Sequence, residues 1–311
     1  MRIKKILSNT RLYKMYYNYR WRERKICKGS SHPSTTFYVI RRHANRAGLF
    51  SFVSTNLASI KYALDHGYTP VIDMQNSPNP MLSTNEVGKV NAWDLFFEQP
   101  AGFTLDDINS SKNIVLSSIH PPEKYPDYAS LSDTPEISMW SDLMKKYIKL
   151  RPEIEADINS YIASTFKSNR VLGVLCRGTD YIALKPKDHP IQPDIDLIIE
   201  DSKKLIQERD LQLIYLATED TDIWTRFNDE FPGKIMSFQN HHFSTKDNEN
   251  VNDIANSLLS PYERNREYLT SIAILSRCNV LLAGATSGSI SALLMSNGYE
   301  YAHIYQLGTY Q

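Results

Sequence analysis

Residues 171–181 read Val-Leu-Gly-Val-Leu-Cys-Arg-Gly-Thr-Asp-Tyr, and this stretch decides the fold. Its first six residues are uncharged, mostly apolar and too few for a helix, which predicts a buried strand over 171–176. The strand runs into a polar loop that holds Arg177 and Asp180. Ligands of open parallel sheets bind beyond the carboxyl ends of strands, and a guanidinium binds phosphate through paired hydrogen bonds, so Arg177 is a candidate anion ligand. The alternative is that Arg177 pairs with Asp180 and only closes the turn.

Segments typical of strands and helices alternate on both sides of this stretch. Further strands are predicted over 37–40, 69–74, 114–119, 211–217, 235–238, 279–283 and 301–305. Helices are predicted over 49–66, over 138–166 with a break at Pro152, and over 194–209, 221–231, 262–276 and 289–297. This order predicts an α/β protein in which two Rossmann-like, doubly wound domains face a cleft. The expected boundaries are 1–35 for an N-terminal arm, 36–168 for the first domain and 169–311 for the second.

The charge of the chain is unevenly distributed, although its 311 residues sum to zero. Residues 1–28 hold ten of the 35 Lys and Arg residues and one of the 35 Asp and Glu residues, which leaves 25 basic against 34 acidic residues in the remainder. Aromatic and aliphatic side chains lie between these basic residues, a mixture suited to an anionic membrane surface. The alternative is a solvated or packed helix, and no nucleic-acid-binding module follows the arm.

The cysteines and the hydropathy of the chain bear on its compartment. Cys27, Cys176 and Cys278 are widely spaced and odd in number, which indicates neither a disulfide framework nor a metal site of the CxxC type. There is no apolar run of about 18 residues and no apolar core of a signal peptide. We therefore expect a cytoplasmic protein, peripheral on the inner face of the membrane if the arm binds lipid.

Three further loops at predicted strand ends carry polar side chains. Residues 284–289, Gly-Ala-Thr-Ser-Gly-Ser, open a helix, where small residues, hydroxyls and free amides suit an anion. Thr218, Glu219 and Asp220 follow another strand and could bind a ribose, a sugar or a base. Both loops could instead serve only as helix caps. The basic loop at 41–48 follows the first strand and could receive a substrate.

The remaining motifs exclude several classes of chemistry. His189 lies in the loop after the Arg177 strand, either as a functional residue or as an ordinary surface histidine. His241 and His242 have no partners at zinc spacing, so no metal site is predicted. The chain has no Walker loop, dinucleotide fingerprint or GxSxG elbow. An aromatic cluster at 93–103 is either a lid or hydrophobic packing, and packing is favoured.

Taken in order, four motifs resemble the three-motif fucosyltransferase superfamily, which includes α1,6-fucosyltransferases and protein O-fucosyltransferases. They are Gly173-Val-Leu-Cys-Arg-Gly-Thr-Asp180, His189-Pro-Ile, Leu216-Ala-Thr-Glu-Asp220 and Ser276-Arg-Cys-Asn-Val-Leu-Leu-Ala-Gly-Ala-Thr-Ser-Gly288. The loop Asn45-Arg46-Ala-Gly48 is similar to the first glycine-containing loop of that superfamily. The resemblance is clearest over residues 171–295.

This resemblance implies an inverting, metal-independent enzyme of the GT-B type that needs no cofactor. It would transfer fucose from GDP-fucose to a saccharide acceptor, lipid-linked acceptors included, in surface polysaccharide or glycan synthesis. The first domain would then bind the acceptor and the second the nucleotide sugar, with Arg177 as the catalytic residue that stabilises the departing diphosphate. The implied donor-binding residues are Asn45, Arg46, Gly48, Arg177, Asp180, His189, Thr218, Glu219, Asp220, Thr286, Ser287, Gly288 and Ser289.

Two positions depart from the motif of the superfamily. A histidine of the motif is Leu175 in this chain, and its second arginine is Gly178. Arg41, Arg42 or Arg46 could replace the missing arginine, and Asp73, Asp180 and Glu219 are candidates for the base that deprotonates the acceptor. The alternatives are a transferase that uses another nucleotide sugar, and a non-catalytic protein that binds nucleotide or glycan on the same fold.

Overall fold

The computed structural model describes residues 15–16, 19, 21–44, 47–177, 185, 187–238, 241–242 and 258–311. Its strands are β1 (Arg24–Ile26), β2 (Ser31–Arg41), β3 (Thr69–Asp73), β4 (Ser111–Leu116), β5 (Val171–Leu175), β6 (Leu213–Ala217), β7 (Ile235–Met236), β8 (Val280–Gly284) and β9 (Tyr301–Tyr305). Its helices are α1 (Leu49–Asp65), α2 (Leu105–Ser110), α3 (Thr134–Tyr147), α4 (Pro152–Thr165), α5 (Ile195–Glu208), α6 (Thr221–Glu230), α7 (Pro261–Leu275) and α8 (Ser287–Met295). The protein is therefore α/β, as the sequence predicts.

The described chain separates into two compact units. The first comprises residues 1–47 and 55–125, and the second comprises 48–54 and 126–311. The predicted boundary at residue 168 differs from this division because α3 and α4 pack within the second unit. Ser141 on α3 donates a hydrogen bond to the carbonyl of Leu294 on α8 at 2.9 Å. Glu155 on α4 pairs at 2.9 Å with Arg277, just after α7.

The sheet of the first unit has four strands in the order β1-β4-β2-β3. Strand β2 is parallel to both β3 and β4, with Val39 opposite Val71 on one side and Leu116 on the other. Strand β1 is antiparallel to β4, so this sheet is mixed and not purely parallel. Its core includes these buried apolar residues: Phe37, Val39, Val71, Ile108 and Ile114.

The predicted N-terminal arm is in part a strand of this sheet, which corrects its boundary at residue 35. Strand β1 and the first residues of β2 both lie within the range assigned to the arm. Ile119 donates its amide to the carbonyl of Trp21 at 3.3 Å, and Glu23 accepts the hydroxyl of Tyr38 at 2.9 Å. The described residues of the arm from Trp21 to Ile26 therefore bond to the first unit, since an edge strand gains its hydrogen bonds from a distant partner.

The aromatic cluster of the first unit belongs to its hydrophobic interior. Trp93, Phe96 and Phe97 are almost fully buried, and the rings of Trp93 and Phe97 stack at 4.4 Å. Phe103 meets Phe37 edge-on at 4.9 Å. Packing is therefore the correct interpretation of this cluster.

The sheet of the second unit has five parallel strands in the order β7-β6-β5-β8-β9. This is the Rossmann order, in which the chain runs outward from the central strand β5 first to one edge and then to the other. All five residues of β5 and of β8 are buried. The point where the direction of winding reverses lies between these two strands, and open α/β sheets bind ligands at that point.

Candidate functional site

The three predicted loops of the second unit meet at one edge of its sheet. Leu175, the last residue of β5, lies opposite Ala217 of β6 and opposite Ala283 of β8. The amide of Cys176 bonds to the carbonyl of Ala217 at 3.2 Å, which extends this pairing by one residue. The register therefore brings the loops after Leu175, Ala217 and Gly284 together.

Arg177 lies at this edge and is half-buried. The sequence predicts its place just beyond the carboxyl end of a strand, and the pairing of β5 with β8 puts that strand end at the winding reversal. The predicted alternative partner, Asp180, lies outside the described residues, as does Gly178. The choice between an anion ligand and a structural ion pair therefore stays a prediction.

Cys176, which directly precedes Arg177, shows that the end of β5 is shielded from solvent. Its thiol is fully buried, and burial raises its pKa to about 12, with smaller contributions from the carboxylates of Asp220 and Asp194. Burial also raises the pKa of the Cys278 thiol well above its ordinary value. Both thiols are therefore neutral near pH 7, whereas Cys27 is exposed.

We expect a thiol reagent at about pH 8 to modify Cys27 alone in the folded protein and all three cysteines after denaturation, because the thiolate is the reactive form. Labelled protein counted by mass spectrometry checks this result. A Cys27→Ser variant is the control and should take up no label while folded. Rapid labelling of Cys176 in that variant would show that the end of β5 is accessible to solvent.

The turn between β8 and α8 combines a capped helix with unpaired amides. Thr286 is the N-cap: its side chain accepts the amide of Ser289 at 3.1 Å, and the hydroxyl of Ser289 accepts the amide of Thr286 at 2.9 Å. Within the described chain, the amides of Ser287 and Gly288 have no acceptor. A helix N-terminus with free amides favours an anion through its partial positive charge. The cap and the anion-site interpretations of this turn therefore coexist.

Both glycines of this turn are explained by contacts with the protein, which the sequence did not predict. A Cβ atom on Gly284 would overlap the side-chain oxygen of Gln192, and one on Gly288 would overlap the hydroxyl of Tyr268. Tyr268 in turn meets Phe50, in the first turn of α1, edge-on at 5.2 Å. Gly48, which precedes α1, lies with Phe50 in the segment 48–54, which belongs to the second unit.

The loop after β6 is largely engaged in capping α6. Asp220 is 1% exposed, and its carboxylate accepts the amides of Asp222 at 2.8 Å and Ile223 at 3.1 Å. The hydroxyl of Thr218 accepts the amide of Asp220 at 3.2 Å. Glu219 is half-buried and lies near Arg264, a guanidinium whose pKa is lowered by burial and raised by Glu219. Glu219 is thus the more available of the two predicted carboxylates.

His189 is exposed, and the backbone around it is paired with the C-terminal tail. Tyr310 donates its amide to the carbonyl of His189 at 2.9 Å, and its carbonyl accepts the amide of Asp188 at 3.0 Å. A bridge between Pro190 and Thr309 continues this pairing. The structure thus fixes the segment that enters α5, which the sequence predicted only as a loop.

The histidine pair makes contacts at the start of α6 and on α7. His241 pairs with Glu267 at 2.9 Å, and His242 stacks on Trp224 at 4.7 Å. Burial lowers the pKa of His242, against the raising effect of Glu267 and Asp220, so its ring is neutral near pH 7. No group of three or more metal-binding side chains converges in the ranges given above.

Two of the donor-binding residues predicted in the loop after β2, Asn45 and Arg46, lie outside the described residues.

The other candidate residues of the first unit bond to neighbours in that unit. Arg41 donates from Nε to the carbonyl of Ser117 at 3.1 Å and lies over the ring of Trp21. Arg42 donates to the hydroxyl of Thr55 at 3.0 Å. The carboxylate of Asp73 accepts hydrogen bonds from the backbone and side chain of Asn76 and from the amide of Gln75. Arg41, Arg42 and Asp73 therefore all have partners within their own unit.

Comparison with known proteins gives a match at the level of structure only. No protein-family model matches the chain, and no curated protein matches it significantly in sequence. The crystal structure of the α1,6-fucosyltransferase NodZ co-crystallised with GDP is similar, with a TM-score of 0.51, 16% identity, and coverage of 84% of this chain and 93% of that chain. The structure of the fucosyltransferase NodZ from Bradyrhizobium has a TM-score of 0.48 and 16% identity, and the match covers 84% of this chain and 94% of that chain. The structure of POFUT1 in complex with GDP has a TM-score of 0.49 and 10% identity, and the match covers 87% of this chain and 98% of that chain.

The likeness to NodZ with GDP shows that this chain has a fucosyltransferase-like fold. The resemblance drawn from the four sequence motifs is thereby confirmed for the fold. No helix in the described part of the chain is both long and apolar enough to cross a membrane.

Proposed function

We propose, from a fold shared with a solved fucosyltransferase, that this protein is a glycosyltransferase that transfers fucose from GDP-fucose to a saccharide acceptor. The observation that carries the proposal is the adjacency of β5 and β8, which brings Arg177 and the N-terminus of α8 to the same point of the sheet. A cation and a set of unpaired amides at one place suit the diphosphate of a nucleotide sugar. The similar NodZ structure was obtained with GDP.

The proposed reaction is an inverting displacement at the anomeric carbon of the sugar. The acceptor oxygen forms a bond to that carbon, the bond from the carbon to the diphosphate oxygen breaks, and the acceptor proton passes to a base. Negative charge develops on the departing diphosphate, where the guanidinium of Arg177 and the amides of Ser287 and Gly288 would stabilise it without a metal. Among the described residues, Glu219 and Asp73 are the candidates for the base.

The division of labour between the two units is part of the same proposal. The second unit would bind the donor, since it holds the Rossmann-ordered sheet and the anion-binding turn. The first unit would bind the acceptor, as in enzymes of the GT-B type. The acceptor would be a glycan or surface-polysaccharide precursor, lipid-linked precursors included.

The first experiment is calorimetric binding of GDP, UDP, CMP and dTDP, with GDP-fucose and GDP-mannose, in EDTA and in Mg²⁺. We expect selective binding of GDP and GDP-fucose that does not depend on the metal. Preferential binding of another nucleotide would mean that the donor carries a sugar other than fucose, and the protein would still be proposed as a glycosyltransferase. The absence of any nucleotide binding would overturn the proposal.

A non-catalytic binding protein is the second candidate, and one observation favours it. Leu175 is buried and apolar at the position where the fucosyltransferase motif has a histidine. Such a protein would bind GDP-fucose but would not consume it. Incubation of the protein with GDP-fucose and a panel of saccharide acceptors separates the two candidates, because only an enzyme releases GDP in proportion to the glycan product.

We further propose that the residues before Trp21 bind an anionic membrane surface. Met15, Tyr16 and Tyr19 expose about 60% of their surfaces, and Arg22 lies over the ring of Tyr19. Aromatic rings flanked by basic residues are stabilised at the headgroup level of anionic lipids. The protein would then work at the cytoplasmic face of the membrane, close to a lipid-linked acceptor.

Deletion of residues 1–20 should release the protein from vesicles that contain phosphatidylserine while GDP binding is unchanged. The deletion stops before Trp21, because a cut at residue 28 would remove β1 and destabilise the first unit. Vesicle co-sedimentation measures the release, and vesicles of neutral lipid are the control. Equal binding of the full-length and shortened proteins would rule out this role.

A further inference from the structure

Gln192 links the segment that leaves β5 to the turn that follows β8. It lies just before α5 and is 6% exposed. Its side-chain nitrogen donates to the carbonyl of Pro190 at 3.1 Å and to the carbonyl of Ala285 at 3.0 Å. The second bond joins residues 93 positions apart. These two carbonyl acceptors also identify which end of the amide is the nitrogen.

The side-chain oxygen of Gln192 is buried and, in the described chain, accepts no hydrogen bond. It lies against Gly284, where a Cβ atom would overlap it. A buried acceptor without a donor destabilises a protein, and an apolar side chain of similar size would avoid that cost. The benefit of a glutamine at this position must therefore come from the bonds that its nitrogen makes.

The bond to Ala285 fixes the turn from which α8 begins. Ala285 directly precedes the N-cap residue Thr286, and the unpaired amides belong to the next two residues. Binding of an anion by several donors depends on those donors being held in place before it binds, and displacements of about 1 Å weaken the binding. A side chain that holds Ala285 therefore controls where these amides lie.

We propose that Gln192 is a positioning residue for the donor diphosphate. It acts through the turn, whose amides at Ser287 and Gly288 bind the diphosphate, and it does not touch the reacting atoms. This inference rests on the proposed function of the same site. It predicts that loss of the amide weakens binding of the nucleotide more than it weakens the fold.

The test compares Gln192→Leu with Gln212→Leu, a matched control at the opposite end of the sheet. Gln212 accepts the amide of Arg170 at 2.8 Å and donates to the carbonyl of Asp210 at 2.6 Å, so it also bridges two backbone segments. We expect the Kd for GDP to rise about tenfold in Gln192→Leu and to change by less than about twofold in Gln212→Leu. The KM for GDP-fucose should rise in parallel, with a smaller change in kcat.

Equal GDP affinity in the Gln192→Leu and wild-type proteins would overturn the positioning role and leave the proposed function intact. Wild-type protein that binds no nucleotide would overturn both. If Gln192→Leu does not fold, Gln192→Asn replaces it, because asparagine keeps the amide but is one methylene too short to reach both carbonyls. Wild-type affinity in a folded Gln192→Asn protein would then count against the proposal.

Discussion

Replacing Arg177 by alanine is expected to lower turnover by about 10²-fold or more, which is the usual effect of removing one preorganised donor at a developing negative charge. Arg177 follows β5 by two residues, and β5 pairs with β8, the strand that leads into the N-terminus of α8, where the diphosphate would leave in the proposed reaction. The loss of turnover should exceed any loss of thermal stability, because in the proposed reaction the guanidinium acts on the departing diphosphate. Initial rates at saturating GDP-fucose, together with a thermal melt, measure both quantities.

Arg170→Ala is the matched control, at the other end of the same strand. Arg170 pairs with Glu300 at the surface, and exposed ion pairs contribute about 0–1 kcal/mol to stability. Its removal should leave turnover unchanged. Arg177→Lys should fall between the wild type and the alanine variant, because lysine keeps the charge and loses the paired donors. A fall in melting temperature without a loss of turnover in Arg177→Ala would instead identify a structural arginine.

Replacing Gly173 by valine is expected to destabilise the second unit by about 3 kcal/mol or more, at the upper end of overpacking effects. Gly173 lies in the middle of β5, and a Cβ atom there would be 2.7 Å from the end of the Leu275 side chain and 3.0 Å from Cys278. The end of α7 thus packs directly on the backbone of the central strand. Thermal and denaturant melts of the variant check this prediction.

A graded series tests whether this contact is the cause. Gly173→Ala should be milder than Gly173→Val, since the end of the Leu275 side chain can shift. Combining Gly173→Ala with Leu275→Ala should cost less than the sum of the two single changes, because the shortened side chain leaves room for the new methyl group. Strict additivity would show that the strand and the helix do not touch there.

The sequence predicted the elements of the second unit well because each has a local signal. The apolar run at Val171–Leu175 is a strand, and the break at Pro152 marks the first turn of α4. Prolines suit the start of a helix and disrupt its interior. Helix α8 begins two residues earlier than predicted because Thr286, and not a later residue, is its N-cap.

The predictions that the structure corrects concern elements whose partners are distant in the sequence. Strand β1 is three residues long and has no alternating pattern, and it exists because Arg24 and Ile26 pair with residues about 90 positions away, Leu116 and Ile114. The predicted first domain is too long because it includes α3 and α4. The contact of α3 with α8 and that of α4 with the end of α7 depend on residues far along the chain, so the sequences of α3 and α4 do not predict them. The alternation of strand and helix is the same whichever domain a helix joins.

The sequence by itself determined the alternation of strands and helices, the polar loops at strand ends and the place of Arg177 on one of them, since these depend on local residue patterns. Only the tertiary structure decided that β5 and β8 are neighbours, which brings Arg177 to the turn before α8. It also decided that Gln192 lies against Gly284 and that Tyr268 lies against Gly288. The physical reason is that packing and hydrogen bonds between distant residues exist only after the chain has folded, so no local pattern encodes them.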